Sequence, residues 1–207
     1  MNQLQTAVSG SGVMIDRTVD YYNENAQSFF ETTVNADMAL QLEDFIKLLP
    51  AGGYILDAGC GSGRDSLELK NRGFKIEAFD ASEEMCRRAS ELLGQQVKLY
   101  RFEELNYIDL FDGIWACASL LHVTWEAMPD VIDRLNKSLK VNGVLYASFK
   151  KGIGERYRGE RRFTDADEAY LRSILEDRFD ILEIRESIDV RPGRENEVWM
   201  NAFARKK

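Results

Sequence analysis

The chain has 207 residues, 44% hydrophobic and 30% charged, a composition that suits one globular domain with a substantial core. Its formal net charge of −8 argues against a broad polyanion-binding surface, and no run approaches the roughly 18 apolar residues of a membrane span. Three scattered cysteines (Cys60, Cys86 and Cys117) form no C-x-x-C pair, which sets aside a disulfide framework and a zinc site.

Residues 1–14 are polar and carry glycine and serine, so a flexible leader is expected there. It lacks the basic segment and long apolar run of a signal peptide, which points to a cytoplasmic protein. Val19, Tyr22, Ala26, Phe29 and Phe30 fall at helical spacing, and Met38, Leu42, Phe45, Ile46 and Leu49 repeat it. Two helices are expected, closed by the "PAGG" turn at 50–53. The pattern then changes to strands alternating with helices. Strand-like runs lie at 54–58, 74–80, 96–100, 111–119 and 143–150. Helical runs end at Gly73 and Gly94 or cover 129–140. Ser82 caps the second of these, with Glu83 and Glu84 in its first turn. "TDADEAYLRSILEDRF" reads as a helix from Thr164, with Asp167 completing a variant capping box. Strands at 180–190 and 197–205 close the chain and pair antiparallel across a short connection. The whole reads as an α/β, doubly wound, largely parallel sheet in a single domain.

In such a sheet a ligand binds beyond the carboxyl ends of the strands, where strand order reverses. "ILDAGCGSGRDS" (55–66) stands there, with Gly59 and Gly61 free to approach a ligand and Ser62 a candidate cap for the next helix. The dinucleotide fingerprint G-x-G-x-x-G fails at its third position, which is Arg64; the glycine comes one residue early, at Gly63. Asp57, in front of the glycines, is a poor neighbour for a pyrophosphate and a good one for an amino group. S-adenosylmethionine has an amino acid end and no phosphate, so the spacing favours it over a nicotinamide. Asp80, ending the second strand, can accept both ribose hydroxyls.

"ILDAGCGSGRDS", "FDAS", "FDGIWACASLLHV" and "LKVNGVLYASFK" together resemble the class I S-adenosylmethionine-dependent methyltransferases, in particular the small bacterial tellurite-resistance-like branch. The resemblance covers about residues 15–205. It implies a Rossmann-like sheet of seven strands in the order 3-2-1-4-5-7-6, strand 7 antiparallel. It also implies an N-terminal helical lid over 15–50 and a core over 54–205. Asp57, Ala58, Gly59, Cys60 and Gly61 would then hold the methionine part of the cofactor, Asp80 the ribose, and Ala81 and Met85 would flank adenine. Phe102 and Glu103 match the stretch that contacts the adenine edge, although the family often has Asp where this chain has Arg101. The backbone from Ala116 to Ala118 would lie near the sulfonium. Tyr21 and Tyr22 match the lid helix, Tyr21 on the cofactor side and Tyr22 on the acceptor side.

Arg64 is a candidate for the cofactor carboxylate or for a solvent-facing helix position. His122, the sole histidine, follows the fourth strand and is the candidate general base. The other reading makes it a structural residue of that loop. Trp125, Lys150, Tyr157 and Arg161 are candidates for the acceptor site. Residues 150–162 hold six basic side chains against two acidic ones, a candidate mobile lid over an anionic small-molecule acceptor. "ACAS" stands where amino-group DNA methyltransferases carry N-P-P-[YF], which disfavours nucleic acid. No metal is expected, and the chain is read as a monomer or weak homodimer. Two further readings stay open: a non-catalytic S-adenosylmethionine-binding regulator, and a nucleic-acid methyltransferase.

Overall fold

The computed structural model describes residues 17–207, so the leader expected over 1–14 lies outside the described residues. The first expected helix is two. Helices α1 (Arg17–Glu24) and α2 (Ala26–Thr33) are parted at Asn25, whose side chain donates to the Tyr21 carbonyl at 2.9 Å. This local bond offers the backbone an exit from the helix. Helix α3 spans Ala39–Ile46.

The strands that follow are β1 (Tyr54–Ala58), β2 (Lys75–Asp80), β3 (Lys98–Leu99), β4 (Phe111–Ala116), β5 (Leu139–Lys150), β8 (Phe179–Ile188) and β9 (Val198–Lys206). They form one sheet in the order β3-β2-β1-β4-β5-β9-β8. The first five are parallel, and β9 runs antiparallel to both β5 and β8. The extra pair in the numbering, β6 (Gly154–Arg158) and β7 (Arg161–Asp165), forms a separate hairpin. Without that hairpin the order is the expected 3-2-1-4-5-7-6. The stretch expected as a charged loop is therefore a hairpin, turning at Gly159 with φ +62°.

Helices α4 (Arg64–Asn71), α5 (Glu83–Leu93), α6 (Met128–Ser138) and α7 (Glu168–Leu175) complete the layers. Alternation along the central strands assigns the faces. Ile55, Trp115, Val144 and Tyr146 pack with Leu42 and Phe45 of α3, whereas Leu56, Ile114, Leu145 and Ala147 pack with Val131 and Leu135 of α6. Burial on both faces explains why these strands read as unbroken apolar runs.

Two caps differ from expectation. Gly63, not Ser62, is the N-cap of α4, with no side-chain bond. Helix α7 is capped by Asp167, which accepts from the Tyr170 N–H, while Thr164 lies in β7 and donates to the Val123 carbonyl. Pairing within the hairpin holds Thr164 extended, so the helix starts later. Ser82 caps α5 as expected, accepting from the Met85 N–H at 3.2 Å.

Candidate active site

A cleft opens at the carboxyl edge of β1, β2, β4 and β5, covered by α1, α2 and the β6–β7 hairpin. The glycine loop shapes its floor. Gly59 and Gly61 take φ of +76° and +53°, a region side-chain-bearing residues avoid. A Cβ on Gly59 would stand 2.5 Å from the Ser119 Cβ, so the loops after β1 and β4 touch there. Gly63, the glycine that arrives one residue early, lets α4 start against Ala89 of α5, 3.1 Å from where its own Cβ would be.

Asp57 is buried behind this loop and accepts from Ser66 Oγ at 2.6 Å. Burial, reinforced by nearby Asp65, pushes its carboxyl up to about 7, against the Ser66 bond and the Arg64 charge. Asp80 bridges two loops: its carboxylate accepts from the Gly61 N–H at 2.8 Å and the Ser82 N–H at 2.9 Å. Burial raises its pKa, and these backbone donors oppose the rise. Phe79, Met85 and Phe102 form the apolar wall beside it, the rings of Phe79 and Phe102 meeting edge to face at 5.2 Å.

At the far side, His122 is held from both ring nitrogens. Nδ1 lies 2.7 Å from the Arg162 carbonyl oxygen and Nε2 lies 2.8 Å from Tyr22 Oη. A carbonyl only accepts, so Nδ1 carries a proton; in the neutral ring Nε2 then accepts from the tyrosine. Arg162 returns the contact by donating to the His122 carbonyl at 2.9 Å.

The structure brings most of the candidates to one cavity: Tyr22, Asp57, Gly59, Cys60, Gly61, Arg64, Asp80, Ala81, Met85, Phe102, Glu103, Ala118, His122, Lys150 and Arg161. Ala58 and Ala116 sit just behind its wall as fully buried strand ends. Tyr21 stands outside it, under the Arg161 guanidinium at 4.5 Å. Trp125 instead packs against Tyr170 at 4.3 Å, and Tyr157 is 65% exposed, so neither side chain lines the cleft. Arg64 faces the cavity with its guanidinium already spent on Asp65, at 2.6 and 2.7 Å, and on the Thr33 carbonyl. It ties α2 to α4. Lys150 is likewise committed, to Asp189 at 3.0 Å, to Glu197, and 3.8 Å over the Trp199 ring. Burial pushes the Cys60 and Cys117 thiols up, Cys117 to about 12, which leaves both protonated and weak as nucleophiles.

Several cavity residues escaped the sequence reading. Arg191 and Arg194 reach it from the β8–β9 turn. Outside the cavity lining, Asn23 of α1 accepts from Ser82 Oγ at 2.7 Å, which docks α1 on the start of α5. The arginines in "RPGREN" carried the only sequence signal for the first pair.

Residues 55–143 match the family model of the methyltransferase domain. These residues are a methyltransferase domain. The glycine loop, the strand order and the acidic strand ends agree with that match. YqeM of Bacillus subtilis, a methyltransferase by name, is 33% identical over 133 residues, 58% of this chain and 52% of that one. TehB of Haemophilus influenzae, named as a probable S-adenosyl-L-methionine-dependent methyltransferase, is 27% identical over 94 residues, 43% of this chain and 33% of that one. The chain thus spans about half the length of the first curated relative, and less of TehB. Among solved structures, the Burkholderia thailandensis 1,6-didemethyltoxoflavin-N1-methyltransferase, with bound 1,6-didemethyltoxoflavin and S-adenosylhomocysteine, superposes with a TM-score of 0.74 at 20% identity. It covers 91% of this chain and 85% of that one. Around this methyltransferase domain, no described helix is long and apolar enough to cross a membrane, and no His/Cys/Asp/Glu group among the described residues could hold a metal.

Proposed function

We propose that the protein transfers a methyl group from S-adenosylmethionine to a small, anionic acceptor. The observation that carries the cofactor half is Asp57, buried behind a glycine loop that presents bare backbone, with the Asp80 carboxylate beside it. These residues fit the group. A carboxylate suits an ammonium, Asp80 suits ribose hydroxyls, and the Phe79–Met85–Phe102 wall suits a flat base. Bound S-adenosylmethionine supplies an activated methyl, so the chain's main task is alignment of the acceptor. In this reading the lid expected over 15–50 is carried by α1 and α2, which cover the cleft, while α3 packs with the sheet of the 54–205 core.

The acceptor half rests on charge. Arg161 and Arg162 line the opposite wall, and neither has an acidic partner among the described residues, although the chain as a whole is acidic. The Nε atoms of both are buried without a hydrogen-bond partner. An acceptor carrying a carboxylate or phosphate would complete them. The test is incubation of the protein with methyl-labelled S-adenosylmethionine and a small-molecule extract, followed by anion exchange. Label in a retained, anionic product is the expected result. Cofactor binding with no labelled product would instead point to a regulator.

Asp57 also sets a pH dependence. Its carboxyl titrates at about 7 in the free protein, and an ammonium prefers it ionised. Below that pH, binding must expel a proton, so affinity falls by up to about tenfold per pH unit. Above about 8 the ligand's own amine loses its proton. S-adenosylhomocysteine affinity, measured by calorimetry from pH 5.5 to 9, is therefore expected to peak between these limits. In Asp57→Asn the acidic limb disappears.

A further inference from the structure

His122 is the residue that type and position nominate as a base, yet its Nε2 faces Tyr22 Oη at 2.8 Å and its Nδ1 is spent on the Arg162 carbonyl. With both ring nitrogens of His122 engaged, the tyrosine oxygen is the polar atom of the pair left with accepting capacity toward the cleft that both residues line. Tyr22 lines the cavity from α1, its ring fixed edge to face against Phe29 at 5.0 Å and against His122 at 5.4 Å. The Arg161 guanidinium stands 6.0 Å from the centre of that ring.

We propose that Tyr22 is the catalytic residue that takes the acceptor's proton and that His122 is its positioning residue and proton sink. The inference rests on the methyl-transfer reading above. As the acceptor X–H gives its proton to Tyr22 Oη, Tyr22 passes its own proton to His122 Nε2. The X–H electron pair forms the bond to the methyl carbon, and the pair of the broken carbon–sulfur bond stays on sulfur. The Nδ1–H bond to the Arg162 carbonyl persists throughout and supports the imidazolium that results. Burial raises the Tyr22 phenol and the Arg161 charge lowers it, so any negative charge that develops on its oxygen is met by a cation. A relay of this kind implies an acceptor class: a hydroxyl or amine with a proton to lose, rather than a thiolate or carboxylate that needs no base.

The sole histidine makes the direction of the relay readable without any acceptor. A long-range proton–nitrogen spectrum of tag-free, uniformly ¹⁵N-labelled protein at alkaline pH is expected to show one ring protonated at Nδ1 and bare at Nε2. Protonation at Nε2 would reverse the Tyr22–His122 hydrogen bond and overturn the relay. With the labelled methyl donor and extract, Tyr22→Phe is expected to lower transfer about 100-fold, the usual scale of a lost general base. S-adenosylhomocysteine affinity should stay within about twofold of wild type, since the ring and its packing remain. His122→Gln offers Tyr22 an accepting oxygen but no base. It should be as slow as Tyr22→Phe, whereas a merely structural latch would be rescued. Wild-type transfer rates in either variant would overturn the proposal. Absence of product from the wild type would overturn the methyl-transfer reading instead, and the tautomer would still decide the pair.

Discussion

Asp80→Ala is expected to weaken S-adenosylhomocysteine binding by at least about 100-fold. Charge-assisted hydrogen bonds contribute roughly 1.5–3 kcal/mol each, and losing two ribose hydroxyl contacts costs about 3 kcal/mol or more, a factor above 100. A second loss compounds it. The same carboxylate accepts from the Gly61 and Ser82 N–H groups at 2.8 and 2.9 Å, so its removal also releases the glycine loop and the start of α5. Asp80→Asn keeps a carbonyl oxygen for one of these donors and loses the charge, and a smaller loss of about tenfold is expected. Calorimetry on both variants, with circular dichroism to confirm folding, makes the comparison. Unchanged affinity in the alanine variant would remove Asp80 from the cofactor site.

Gly59→Ala is expected to be the most damaging single methyl in the chain. The added carbon would lie 2.5 Å from the Ser119 Cβ, on a backbone with φ +76°. Ser119 cannot easily retreat, because its Oγ donates to the Ala58 carbonyl at 2.6 Å and it is itself buried. Overpacking of this kind costs about 1–3 kcal/mol and the left-handed conformation about 1–2 more. At 2–4 °C per kcal/mol for a domain of this size, a fall in Tm of roughly 10 °C follows. Gly73→Ala supplies the control. Its φ is +89°, but nothing lies within 4 Å of the new carbon, so only the backbone strain remains and a fall of roughly 4 °C is expected. Equal shifts in the two variants, read by thermal denaturation, would deny the contact between the β1 and β4 loops any special weight.

Much of this arrangement is legible in the chain because local signals and the fold agree. The runs at 54–58, 111–116 and 143–150 are strands buried on both faces, and the glycines between β1 and α4 occupy backbone conformations that few other residues take. Asp57 and Asp80 fall at strand ends, so a one-dimensional position predicts a three-dimensional one. The signal fails where long-range contacts decide. A charged stretch with three glycines reads as a loop, yet β6 and β7 pair as a hairpin that roofs the cleft. Lys150 reads as an open cation until Asp189 and Glu197, about 40 residues on, take up its charge. His122 reads as a base, and only the approach of α1, a hundred positions away, shows that its Nε2 is already engaged by Tyr22. Partners of this kind leave no mark in local spacing.

The central claim is that the glycine loop with Asp57 and Asp80 cradles a sulfonium nucleoside rather than a pyrophosphate. Calorimetric titration of the protein with S-adenosylmethionine and S-adenosylhomocysteine, beside NADH and NADPH, tests it most directly. Saturable heat from the two sulfur nucleosides alone is the expected result. Saturation by a nicotinamide dinucleotide, with no response to either sulfur compound, would contradict the account at its root.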